Sequence, residues 1–273
     1  MSPKEDVRFL VFDIESVADP KLVANVRFPH EEIDENNALR QYRDELMEKK
    51  GSDFVPYTFQ IPISLALAKV RGDYSLIDIK VLDNGPENIC RTFWNGWLHY
   101  QKPTLITFNG RGFDIPLLEL TAFRFGIPIP EWLAWGARSY DQPRYRYNYN
   151  KHFDLCDFLT NNGAVQFTGG LNLASKIIQK PGKIDTKGDM VQDIYDEGNL
   201  EQIHQYCRCD VLDTYFVFLR LMLLNGQISA NQEKALIDST KEWLKTNAEA
   251  FPVYQLYLDA WNNTENSDAN NQQ

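Results

Sequence analysis

The chain has 273 residues, 43% of them hydrophobic and 13% aromatic, and a formal net charge of −10. That length suits one large domain, or a domain with an insertion and a tail, around a packed core. The acidic balance excludes a protein whose affinity rests on bulk positive charge, but permits nucleic acid where divalent cations or a local basic groove supply the countercharge. Four cysteines, Cys90, Cys156, Cys207 and Cys209, lack the paired spacing of a structural zinc or a disulfide framework. With no signal peptide and no apolar run that could span a bilayer, a soluble cytoplasmic protein is expected.

The run Val7-Arg8-Phe9-Leu10-Val11-Phe12-Asp13-Ile14-Glu15-Ser16 reads as a buried strand. A strand has a period of two, so Asp13 and Glu15 share a face. Two readings are open from this run alone: acids fraying into solvent, or hard oxygen ligands for a metal. Residues 16–60 read as an insertion with a helix over Ala38–Lys50 stopped by Gly51, its charge run a solvated face. Pro20, Pro29 and Pro56 break the flanks.

Ile63–Val70 and Tyr74–Leu82 form a hairpin around Arg71-Gly72-Asp73, making a three-stranded meander with the opening strand. A helix starts at Pro86 and carries Ile89, Phe93, Trp94 and Trp97 on its apolar face. Pro103–Phe108 is a short buried strand, followed by Asn109-Gly110-Arg111-Gly112-Phe113-Asp114 and a helix stopped at Gly126. This succession indicates an α/β layer with parallel crossovers, and Asp114 then sits at a strand's carboxyl end, where open α/β sheets bind ligands.

No period fits 127–152, but Arg138, Arg144, Arg146 and Lys151 interleave there with alternating Tyr145, Tyr147 and Tyr149. In an extended segment those tyrosines share a side and suit a single strand, with Arg144 and Arg146 on its phosphates. The alternative is a loop whose tyrosines pack on the core. His152–Leu159 is strand-like, Gly169-Gly170 opens a short helix, Pro181-Gly182-Lys183 is a turn, and Thr186–Glu197 is another short helix. Asn199 caps a helix over Leu200–Leu224, and Ser229 with Gln232 opens a further one to about Ala248. Residues 1–261 then form one domain and 262–273 a disordered polar tail.

Within the long helix, Tyr206 and Asp210 are four apart and share a face, with Asp213 close to it. His204 falls on another face, while Cys207 and Cys209 read as buried or neutral helix residues. Asp154 and Asp157 have a structural or a site-supporting reading. Asp13-x-Glu15, Asn109 with Phe113-Asp114, and Tyr206-x-x-x-Asp210 together resemble the motifs of DEDD-superfamily 3′–5′ exonucleases, in the tyrosine subclass. Gln205 stands where the histidine subclass carries its histidine. Asn109–Leu118, His152–Leu159, Pro181–Lys183 and Tyr206–Tyr215 look like stand-alone bacterial exonucleases related to the proofreading domain of family-B DNA polymerases.

The resemblance implies an α/β, ribonuclease H-like fold, a five-stranded mixed β-sheet flanked by α-helices. It implies two Mg²⁺ or Mn²⁺ ions about 4 Å apart serving both ends of an in-line displacement. Asp13 would bridge them, Glu15 and Asp210 would support the nucleophile-side ion, Asp114 would act on the other, and Tyr206 would orient the attacking water. Asn109 and Phe113 would touch the terminal nucleotide, although Phe113 has an equal reading as core. The expected activity is release of nucleoside 5′-monophosphates from the 3′ end of single-stranded nucleic acid, DNA favoured over RNA. One rival is a catalytically weak nucleic-acid-binding or scaffold protein of the same fold, which would lack an acid. The other is a ribonuclease H-type endonuclease, which has no need of Tyr206 at this spacing.

Overall fold

The computed structural model describes residues 6–183 and 190–271, with side chains to residue 264. Strand β1 (Phe9–Ala18) is buried on both faces, so it belongs in the middle of a sheet. β2 (Gln60–Val70) runs antiparallel to it and β3 (Leu76–Leu82) antiparallel to β2, completing the expected meander. β4 (Thr104–Thr107) and β5 (His152–Asp154) are added in parallel on the other side, giving the order β3-β2-β1-β4-β5. This mixed five-stranded sheet flanked by helices is the ribonuclease H-like architecture.

Alternation along β1 assigns each face its core. Val11 joins Ala66, Ala68 and Ile106 in one cluster, while Leu10, Phe12 and Ile14 join Leu65 and Leu105 in the other. Helices α3 (Pro86–His99) and α4 (Asp114–Phe125) cover the second face with Phe93, Trp94, Trp97, Leu117 and Leu118. Pro86 occupies the first turn of α3, and Gly126 closes α4 at φ 61°. The short α5 (Pro130–Leu133) adds Trp132 to this side.

The first face is covered by α6 (Leu155–Leu159), α7 (Gly170–Ile177), α8 (Val191–Asp196) and, centrally, α9 (Leu200–Leu224). Nearly all of α9 from Ile203 onward is buried, as befits a helix between a sheet and further helices. The Asn199 side chain caps it, accepting from the Gln202 N–H. α10 (Ala230–Asn247) opens with the Ser229–Gln232 capping box and packs with α11 (Val253–Asn271) against α9.

The insertion is a helical hairpin, α1 (Pro20–Arg27) and α2 (Glu35–Lys50), capped by Asp19 and Asp34. It has a small core of its own around Val23, Phe28, Leu39, Tyr42 and Leu46. The sequence reading found α2 and its Gly51 stop but took Pro20 as a breaker. Pro20 instead stands at the first helical position, where its missing N–H costs nothing.

Three further expectations differ. The strand-like run His152–Leu159 stops as a strand at Asp154, whose carboxylate accepts from the Cys156 and Asp157 N–H groups and turns the chain into α6. The tract 138–151 is a series of hydrogen-bonded turns, such as Tyr145 N–H to Gln142 O and Asn148 N–H to Tyr145 O, not the extended segment on which the alternation of its tyrosines depends; the rings of Tyr145 and Tyr147 meet at 5.5 Å while Tyr149 packs on Phe153. Residues 262–271, expected to be disordered, continue α11 as helix. Val253, Tyr254, Tyr257, Leu258 and Trp261 bury the start of that helix, and elongation beyond a nucleated turn is cheap. Of the helix expected over Thr186–Glu197, residues 186–189 lie outside the described residues.

Asp154 also accepts from the Asn109 and Arg111 N–H groups at 2.9 and 2.8 Å, tying β5 to the loop between β4 and α4. Asp154→Ala strands these amides and is expected to cost ~2–4 kcal/mol in urea denaturation, well above an ordinary surface substitution.

Candidate active site

Four acids converge from three elements. Asp13 and Glu15 come from the carboxyl half of β1, Asp114 opens α4, and Asp210 lies midway along α9. The β1–β2 register slips between Glu15 and Ser16, where Glu15 faces Ser64 but Ser16 faces Pro62. Such a bulge bends the strand and re-aims its side chains. Glu15, Asp114 and Asp210 are buried and Asp13 half-buried.

Burial is the largest cause raising the pKa of each acid, and repulsion from neighbouring carboxylates adds to it at Asp13, Glu15 and Asp114. Asp13 is pushed well up by burial and then by Asp114, Asp210 and Glu15, which makes it the centre of the group. Glu15 is likewise raised well above its usual range. Asp114 is pushed up to about 7 although the Ile14 N–H holds it down in part, and its Oδ1 is buried with no hydrogen-bond partner. Asp210 is raised to about 6, with Lys183 and the Tyr206 hydroxyl opposing the rise. An acid cluster like this is short of positive charge, and its hard oxygen donors fit a divalent cation.

Tyr206 sits one turn before Asp210, hydrogen-bonded to it. Burial and the neighbouring carboxylates push its phenol far above the ordinary value, so it stays protonated and acts as a donor, not a base. The Cys207 thiol donates to the Asp13 carbonyl at 3.4 Å, accepts from the Ala66 N–H at 3.3 Å, and lies 3.9 Å from Asp13 Oδ2. Burial raises its pKa as well, so it is a neutral neighbour of the acids.

The sequence reading gave Lys183 no role in the site, naming it only within a Pro-Gly-Lys turn and as part of one of the stretches that carry the resemblance. Its charge lowers the pKa values of Asp13, Glu15 and Asp210, and its Nζ lies 5.1 Å from the Tyr206 ring centre. The turn is held by Asn172, whose Oδ1 accepts from the Lys183 N–H at 2.9 Å. Only placement across from the acids distinguishes this lysine from any other turn lysine. A cavity of about 650 Å³ opens onto Asp13, Asp210 and Lys183, walled by Phe108, Asn109, Phe167, Gly169 and Asn172.

The remaining candidates divide. Asn109 lines that cavity with a left-handed backbone (φ 63°). Phe113 precedes α4 and packs partly against the core beneath α3 and α4. Arg144 pairs with Glu119 at 2.9 Å and Arg146 with Asp157 at 2.6 Å, and neither lines the cavity. Asp157 also takes Arg111, so its role is to hold the loops together. Tyr149 bonds Asn162 and packs on Phe153 and Phe158, the core alternative for that tyrosine. His204, on another face as expected, meets Ser64 and Asp83. Asp213 accepts from the Tyr257 hydroxyl at 2.6 Å, fastening α11 to α9.

A carboxylate whose folded pKa is raised binds more protons folded than unfolded between the two values. Stability therefore falls as pH rises through about 4 to 7, and the full penalty applies above that window. His152, held neutral by burial with its pKa lowered to about 3, works in the opposite sense, so the informative quantity is a difference between variants. Without divalent metal, Asp210→Asn is expected to be more stable than wild type by ~1–3 kcal/mol at pH 8, a gain that vanishes near pH 4. Denaturation at the two pH values decides it. A gain that persists unchanged at pH 4 assigns it to packing.

Comparison with known families and structures agrees with this geometry. A family model described as a predicted 3′–5′ exonuclease related to the exonuclease domain of PolB matches residues 52–261, most of the chain but not β1. Among solved structures, the family B DNA polymerase of the hyperthermophilic archaeon Pyrobaculum calidifontis aligns with a TM-score of 0.50 at 14% identity, over 80% of this chain. The aligned part is 24% of that polymerase, and the likeness is one of fold. A comparison with curated proteins gave no match. The sheet, the motif order and the matched span together make this chain a member of the family of 3′–5′ exonucleases related to the PolB exonuclease domain.

Proposed function

We propose that this chain, as one catalytic unit over 1–261, hydrolyses single-stranded DNA from the 3′ end and releases nucleoside 5′-monophosphates. The observation that carries the reading is the meeting of Asp13, Glu15, Asp114 and Asp210 around Asp13, with a protonated Tyr206 on Asp210. Those four carboxylates would hold two Mg²⁺ or Mn²⁺ ions. When bound, such ions neutralise the acids, activate water and stabilise the leaving oxyanion.

The chain's own groups supply position and charge. Tyr206 donates from its hydroxyl at Asp210 and orients the attacking water. Lys183 adds positive charge on the cavity side of Asp13 and Asp210, where a phosphodiester must approach four acids. The cavity beside them takes the strand's last nucleotide, with Asn109 as a polar contact and Phe108 and Phe167 as apolar wall. A non-catalytic scaffold would have no reason to keep four unneutralised acids together, at a cost to its own stability.

Asp13→Ala and Asp210→Ala are each expected to abolish digestion of an end-labelled single strand in Mg²⁺ or Mn²⁺ while the protein stays folded. Retained hydrolysis in either purified variant would sink the assignment of the acids.

Tyr206→Phe keeps the carboxylates and loses only the orienting hydroxyl. Its rate is expected to fall about tenfold to a thousandfold, with metal binding intact. Wild-type turnover in that variant would remove the tyrosine from the mechanism.

A further inference from the structure

One exposed aromatic ring stands next to Phe113, the residue that precedes Asp114. Phe54 follows α2 and its Gly51 stop and is 57% exposed, although the next residue, Val55, is buried in the insertion's core. Its ring centre lies 6.2 Å from that of Phe113, tilted by 51°. Phe54 also lines a small hollow of about 90 Å³ with Ser16 and Val17. Ser16 follows Glu15 in the chain and Phe113 precedes Asp114, so Phe54 packs by the chain neighbour of one acid and shares a hollow with the chain neighbour of another.

From this placement we infer that Phe54 is a base-stacking contact for the single strand, contributed by the α1–α2 insertion. It takes a base adjoining the phosphodiester held at the acids. The inference rests on the nuclease reading above for the identity of that strand. An aromatic face accepts any nucleobase, and the ring of Phe113 supports Phe54 from one side. The competing role, a lid that only shields Phe113 from water, would make Phe54 matter for stability and leave it blind to bases.

The test is binding, separated from turnover. Fluorescence anisotropy with a labelled single-stranded oligodeoxynucleotide gives Kd for Asp13→Ala and for Asp13→Ala with Phe54→Ala, so that no strand is consumed. Loss of one base–aromatic stack is expected to weaken binding about fivefold or more. Phe54→Trp in the same background should restore it. On an oligonucleotide abasic at its last two positions, Phe54→Ala should have no further effect. Equal Kd values on the natural strand overturn the proposal, as does an equal loss on natural and abasic strands, which would assign Phe54 to folding. Hydrolysis by the wild-type protein, scored separately, judges the exonuclease reading itself, so either idea can fail alone.

Discussion

Four carboxylates that would each be better off in water are held within reach of one another, and the architecture around them exists to tolerate this. Burial raises every one of them, and Asp13 is pushed by the other three as well. The protein offsets the repulsion with a lysine across the cavity, a phenol hydroxyl on Asp210 and the Ile14 N–H near Asp114. These leave a net deficit of positive charge, which is the thermodynamic basis for binding divalent cations: the ions relieve the strain the fold imposes.

Rigid elements fix the positions of these groups. β1 lies between antiparallel and parallel neighbours, so it cannot slide without misplacing both cores. Its bulge follows Glu15, one of the two acids that the strand carries. α9 carries Tyr206 and Asp210 on one face and is buried along nearly its whole length, which fixes its rotation. The less regular parts depend on specific hydrogen bonds. Asp154 orders the loop before Asp114, and Asn172 orders the turn that carries Lys183.

The insertion bears on the site by contact. Its hairpin has a small core that reaches the sheet at Ala18, while Gln192 of α8 accepts from the Ala18 N–H and Arg43 of α2 pairs with Asp53 and Asp193. These links fasten the hairpin at the carboxyl end of β1, just past the acids, so the insertion can shape what approaches them.

Much of this was legible in the sequence because it is written in local patterns. The period of two in Val7–Ser16 placed both acids on one face. The four-residue step placed Tyr206 over Asp210, and Gly126, Gly51 and Ser229 marked helix ends through backbone geometry. Other features were set by partners far away in the chain. Asp154 ends a strand-like run by capping α6 locally, but its carboxylate also binds amides 43 and 45 residues earlier, which no local pattern reveals. Arg144 and Arg146 looked like free cations in a basic tract until Glu119 and Asp157 were seen beside them. Lys183 is an ordinary turn residue by sequence, and only the folding of that turn over the acids makes it part of the site. Motif spacing specifies which groups can share a face of one element; their effective charge depends on burial and on neighbours from other elements, which only the tertiary structure supplies.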